Sequence, residues 1–197
     1  MTMEAFGDEF GDEQPWTPPA ERQPGWLSEE ELAGARGRVP MLYVEAVPVR
    51  VDPSGTIATV GLLLRGSPTT GRITRSLVSG RVLHGETVRD ALMRHLEKDL
   101  GPTAFPVLPV STVPAVVAEY FPWPTSQRIG QSLTDPRQHA VSLAFVVPVS
   151  GECQPRQDAL EITWLTPGEA ASDTIAAEME GGRGTLLRQL LHHAGAL

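Results

Sequence analysis

The sequence predicts an α/β domain. Runs of β-branched and aromatic residues bounded by turn residues, at Met41–Val51, Thr56–Arg65 and His139–Val149, read as strands. Between and after them lie amphipathic stretches with helical spacing, at residues 88–100 and 183–193. At 197 residues with 41% hydrophobic content, the chain suits one domain with additional ends.

The elements follow in order. Residues 1 to about 25 are rich in Pro, Gly and acids and lack apolar periodicity, which predicts a disordered acidic tail. Through residue 31, nine acids oppose one base, Arg22, and this accounts for the whole net charge of −8. The tail either solubilises the chain or docks through Phe6, Phe10 and Trp16. Residues 26–39 form a short helix and linker: Ser28-Glu29-Glu30-Glu31 has the capping-box pattern, and Trp26 and Leu27 are placed to staple the helix to the body. The main domain is expected over residues 40–197. Met41–Val51 and Thr56–Arg65 make a hairpin around the Asp52–Gly55 turn. A loop over 66–71 leads to a strand, Arg72–Val78, that runs into Gly80.

The stretch from Gly80 to Pro102 organises the rest. Thr87 is an N-cap with Asp90 three residues on, and Val88, Leu92 and Leu96 fall on one stripe with Ala91 beside them. Gly101 fits the left-handed position after the helix, and Pro102 stops it. Beyond the helix, Val107–Tyr120 holds one or two strands broken by Pro109 and Pro114. A long loop from Phe121 to about Gln138 carries aromatics that either line a pocket or plug a gap. Gly151–Asp158 is a surface loop around Cys153, read as an incidental thiol. The run Glu161–Ala170 is a strand followed by a short helix capped by Thr166 with Glu169 at its third position, and Trp164 is expected in the core. Leu186, Leu187, Leu190 and Leu191 give the last helix its apolar stripe, and His192-His193 suit the negative end of its dipole.

The stretch 80–102 resembles the Nudix hydrolase signature, G-x5-E-x7-R-E-U-x-E-E-x-G-U with U aliphatic. Gly80, Glu86, Arg94, Leu96 and Gly101 fall on it without a gap. The chemistry departs from it: His95 stands for the first helix Glu, Lys98-Asp99 for the Glu pair and Pro102 for the last aliphatic residue. The strand and short helix at 161–170 resemble a second feature of such domains. Together the resemblances imply a Nudix-like α/β/α sandwich with a mixed β-sheet over residues 40–193.

Nudix enzymes cleave a diphosphate linked to another moiety with Mg2+ or Mn2+ held by helix carboxylates. Those ions take oxygen ligands in a rigid octahedron. A Lys at a ligand position changes local charge by two units. Like unit charges ~4 Å apart at an effective dielectric near 20 repel by about 4 kcal/mol, and a dication doubles this. His95 and Asp99, four apart on one helix face, retain the means to hold Mn2+ or Zn2+. By the resemblance, Glu86 braces Arg94. The trio His95, Lys98 and Asp99 therefore has three readings: a solvated face, a weakened metal site or a retuned active site. Lys98, the single lysine, is also a candidate contact for a ligand phosphate.

Two functions are compatible with this pattern. One is a protein with impaired or lost diphosphate hydrolysis that binds a nucleotide or other phosphate-containing ligand. The other is an active Mg2+- or Mn2+-dependent hydrolase of a nucleoside diphosphate derivative. In the active reading Glu86, Arg94 and His95 are catalytic, Asp99 and His95 bind metal, and Glu119, Asp135, Glu152, Asp158 or Glu161 completes the site. A blander reading is a structural homodimer with a vestigial pocket. Homodimerisation is the family habit. One cysteine excludes an internal disulfide and a cysteine zinc site. No apolar run is long enough to span a membrane and no leader is expected, so a cytoplasmic location is the default. Arginines outnumber the lysine fifteen to one alongside abundant Ala, Gly and Pro, which fits high-GC codon usage and does not indicate a nucleic-acid polymer as partner.

Overall fold

The sheet grows outward from strand β1 (Met41–Val51), whose residues Val44 to Val49 are all buried. Val44 and Ala46 enter one core, and Val47 and Val49 enter the other. Burial on both faces explains why this strand reads as a near-continuous apolar run. The computed structural model describes residues 25–67, 70–123, 133–155 and 159–197. The expected acidic tail thus lies outside the described residues up to residue 24, as do residues 124–132 of the aromatic loop and Asp158.

β1 runs parallel to β8 (Ala140–Gly151), from Met41 opposite Ala140 to Val49 opposite Pro148. Its other edge is shared. Strand β4 (Val78–Arg81) pairs antiparallel with Tyr43–Ala46, while β2 (Ile57–Gly66) pairs with Val49–Val51. β2 then diverges to pair with β3 (Ile73–Ser76) and β9 (Ala159–Leu165), both antiparallel. On the far side of β8 lie β6 (Val116–Phe121), the short β7 (Leu133–Thr134) and β5 (Ala104–Pro106). The result is a nine-stranded mixed sheet.

Helices cover both faces. Helix α1 (Glu29–Arg36) begins at the expected capping box, Ser28 with Glu31. Helix α2 (Val88–Leu100) buries Ala91, Leu92, Leu96 and Leu100 against Val44, Ala46, Val78 and Phe145. After β9 come two short helices, α3 (Pro167–Ala170) and α4 (Asp173–Ala177), and a 3₁₀ turn at Glu180–Gly182. Helix α5 (Arg183–His193) packs Leu186, Leu187, Leu190 and Leu191 on the opposite face. This is the α/β/α sandwich with a mixed sheet. Among the described residues no helix is long and apolar enough to cross a membrane.

Several expectations are corrected. The strand placed at 72–78 is two strands, because the chain changes partner from β2 to β1 at the buried Leu77. Residues 107–115 form no strand; β6 starts at Val116, and β5 lies earlier, at Ala104–Pro106. Gly101 has positive φ, 86°, but its ψ of 170° is extended, so it does not form a left-handed cap. Glycine is still needed there, since a Cβ would lie 2.6 Å from the Gln154 carbonyl oxygen. Trp164 is half-buried and is covered by the Arg50 guanidinium, 4.5 Å from the ring centroid.

Candidate functional site

The turn between β4 and α2 is locked by one ion pair. Arg94 donates from Nε to Glu86 Oε1 at 2.7 Å and from Nη2 to Glu86 Oε2 at 2.8 Å. Arg94 Nη2 also donates to the Arg81 carbonyl at 2.9 Å, and the Leu83 amide donates to Glu86 Oε2 at 2.9 Å. The two side chains lie eight residues apart and fasten the loop to the helix on both sides. The Arg94 hydrogen bond is the main cause that holds the Glu86 carboxyl below its ordinary range. Thr87 caps the helix as expected, accepting from the Asp90 amide.

His95 is buried, at 6% exposure, and its Nε2 lies 3.1 Å from the Arg81 carbonyl oxygen. Its ring rests on Gly80: a Cβ there would be 1.8 Å from His95 Cε1. The glycine is thus a seat for the imidazole. Burial is the leading cause that pushes the His95 pKa below 6.5, and the nearby Arg94 and Lys98 charges act in the same direction. Its Nδ1 is buried without a hydrogen-bond partner among the described residues.

Asp99 is fully buried, at 0% exposure. Arg65 Nη2, at the end of β2, donates to its Oδ2 at 2.8 Å. Lys98 Nζ lies 3.1 Å from Oδ1, close enough for an ion pair although not aligned as a hydrogen bond. His95 and Asp99 therefore do not form a solvated face. The sheet covers one, and a strand arginine holds the other.

Nudix hydrolases generally use divalent metal ions such as Mg2+ or Mn2+. The residues here do not fit such an ion. The buried carboxylate already has a cation at each oxygen, and the neighbouring nitrogen donor is an inward-facing imidazole. Among the described residues, no group of three or more His, Cys, Asp or Glu is placed to hold a metal. Of the carboxylates expected to complete the set, Glu119, Glu152 and Glu161 are exposed. Asp135 accepts two bonds from the Arg137 guanidinium, at 2.8 and 2.7 Å, and one from Gln138 at 3.0 Å. Burial works to raise the Asp135 pKa, but these bonds and the Arg137 charge outweigh it and lower the value.

A cleft of about 370 Å³ opens beside this cluster. Four arginines line it, from four separate parts of the chain: Arg65, Arg75, Arg137 and Arg183. Each is paired with a carboxylate: Asp99, Glu178, Asp135 and Glu45 respectively. Hydroxyls of Ser67, Thr70, Thr74, Ser76, Ser79 and Thr134 fill the spaces between them. Behind Arg183, the buried Glu45 accepts from Arg183 Nε and from the Tyr120 hydroxyl, both at 2.8 Å. Arg183 also stacks over the Tyr120 ring at 4.6 Å. Burial and then the Glu45 charge raise the Tyr120 pKa well above 10. Burial works to lower the Arg183 pKa, but Glu45, Tyr120 and Asp135 together outweigh it and keep the guanidinium charged.

Of the residues singled out from the sequence, Asp135 lines this cleft, whereas Glu86, Arg94, His95, Lys98 and Asp99 do not. Asp99 reaches it through Arg65, and Lys98 through Asp99. Sequence reasoning assigned the arginines to codon usage. Asp135-Pro136-Arg137 and the Gly182-Arg183 helix start were the local signals available.

A family model described as a domain of unknown function (DUF4916) matches residues 22–196. No curated protein matches the sequence. Among solved structures, a possible asymmetric diadenosine tetraphosphate hydrolase from Jonesia denitrificans is 56% identical, with a TM-score of 0.75. The match covers 81% of this chain and 98% of that one. A Nudix hydrolase from Nitrosomonas europaea is similar at 17% identity and a TM-score of 0.52, covering 80% and 90%. A diadenosine tetraphosphate hydrolase binary complex from C. elegans is similar at 14% identity and a TM-score of 0.52, covering 80% and 99%.

Proposed function

Since the chain belongs to the DUF4916 family and has the Nudix hydrolase fold, we propose that it binds a nucleotide or other phosphate-containing ligand with impaired or lost metal-dependent diphosphate hydrolysis. The observation that supports this is Asp99, buried between Arg65 and Lys98. Those two cations occupy the electrostatic place of a dication. At ~4 Å and an effective dielectric near 20, each would repel Mg2+ by about 8 kcal/mol. The cleft supplies recognition instead. Each of its guanidiniums spends one or two of five donors on a carboxylate, so the others suit phosphate oxygens. In this reading Lys98 acts through Asp99, and Arg65 is the cation that meets the ligand.

The test is calorimetric titration of Mg2+ and Mn2+, with and without a nonhydrolysable nucleoside diphosphate analogue. Binding of the analogue without metal supports the proposal. Metal binding strengthened by the analogue sinks it and favours the second reading, an active hydrolase with a retuned site. That reading draws on the possible diadenosine tetraphosphate hydrolase that is 56% identical to this chain. A Lys98→Glu, His95→Glu double variant separates the two further: hydrolysis that appears only in this variant marks a lost activity. Homodimerisation belongs to the same proposal, and light scattering reads it.

A further inference from the structure

Two strands share the outer edge of β8 but leave a gap. β6 stops where Val116 faces Ala144, and β5 begins where Pro106 faces Val149. The segment 107–115 arches over the gap and touches the edge at its two ends. There the Val107 amide donates to the Pro148 carbonyl at 2.8 Å and the Ala115 amide to the Ala144 carbonyl at 2.9 Å. Backbone groups two residues apart on a strand point the same way. The carbonyls of 144 and 148 therefore put the N–H and C=O of Val146 on that same side, where no strand among the described residues pairs with it.

Under the arch is a cleft of about 350 Å³, walled by Leu108, Val113, Ala115, Phe145 and Val147. It shares no lining residue with the arginine cleft. Among the described residues no Asp, Glu, Lys or Arg lines it, and His193 is the one ionisable residue that does. Thr112 also lines it, and Thr112 Oγ1 is buried without a hydrogen-bond partner among the described residues. The arch is held from outside as well, because Arg89 of α2 donates from Nη1 to the carbonyls of Leu108 and Pro109.

We propose that this cleft is a second binding site, for a small neutral cyclic ligand with a cis-amide edge. Val146 shows a donor and an acceptor side by side, and a cis amide presents the matching pair. The Thr112 hydroxyl supplies a further donor to the ligand carbonyl, and the ring lies against the apolar walls. An extended peptide is a poorer fit, since β5 and β6 already occupy the edge on both sides. A charged ligand would be desolvated here without an ionic partner. The volume is that of a small-molecule pocket.

The experiment is a nuclear magnetic resonance titration of the full 15N-labelled chain with ε-caprolactam. The expected result is a saturable downfield shift of the Val146 amide proton, with a dissociation constant of about 1 mM. N-methylcaprolactam, which lacks the donor, should bind at least about tenfold more weakly. Thr112→Val keeps the side-chain shape and should weaken ε-caprolactam about fivefold. An unshifted Val146 overturns the proposal. So does equal binding of both lactams together with indifference to Thr112→Val, which would mean an adventitious additive only.

Discussion

Replacing Arg65 with Ala leaves the Asp99 carboxylate buried with Lys98 as its ion-pair partner. Breaking a buried pair from one side costs about 3–5 kcal/mol, so the urea midpoint of Arg65→Ala should fall markedly. Adding Asp99→Asn in that background should recover part of the loss, because no charge then remains to be stranded. His95 gives a pH prediction. Its pKa is depressed in the fold, so the unfolded chain binds the proton more readily. The associated stability is complete above about 6.5 and is lost as pH falls below that value. Glu86, also depressed, adds its own loss below about 4.5. Thermal melts between pH 6.5 and 5 should therefore show a slope that His95→Gln removes and His192→Gln leaves in place. A slope unchanged in His95→Gln would count against the buried neutral imidazole. The pairing of Glu86 with Arg94 was legible in the sequence, since both fall on a recognisable spacing. The Arg65–Asp99 pair was not, because its members lie 34 positions apart and on different elements, and neither has a local pattern.

Helix α2 and strand β4 behave as one element through the contact of His95 with Gly80. Gly80→Ala should destabilise by about 1–3 kcal/mol, the usual cost of overpacking, because the buried ring has no room to swing. His95→Ala combined with Gly80→Ala should cost less than the sum of the two single changes, and chemical denaturation of the four chains measures that coupling. Thr87→Ala removes the helix cap and should cost about 1 kcal/mol by the same measurement. At this scale the sequence was informative where the signal was local: the caps of α1, α2 and α3, the hairpin of β1 and β2, and the leucine stripe of α5. It misled over residues 107–115, whose valines have strand-like composition. The arch forms because β5 and β6 claim the edge of β8 on either side, a constraint that exists only once distant strands are paired. The arginine cleft was hidden for the same reason. Residues 65, 75, 137 and 183 meet only in the assembled sheet.

For the molecule as a whole, the two cores meet at β1, which feeds both. Val47→Asp, in the middle of that strand, would bury an unpaired carboxylate, and such a change should leave little folded protein as judged by circular dichroism. The sheet is also built from distant parts of the chain, and β1 pairs with β8 across 99 residues. Such long-range pairing is entropically costly, so refolding belongs to the millisecond-to-second range and not to the faster range of helical bundles; stopped-flow fluorescence would check it. The parallel pairing of β1 with β8 matters earlier still, while the chain is being made. At about 5–20 residues per second, ribosomes need roughly 5–20 s to go from Met41 to Ala140. Throughout that interval a strand destined for burial on both faces has one edge without its neighbour. Stalled nascent chains that end before β8 should be cut readily by protease, and chains that carry β8 clear of the exit tunnel should resist.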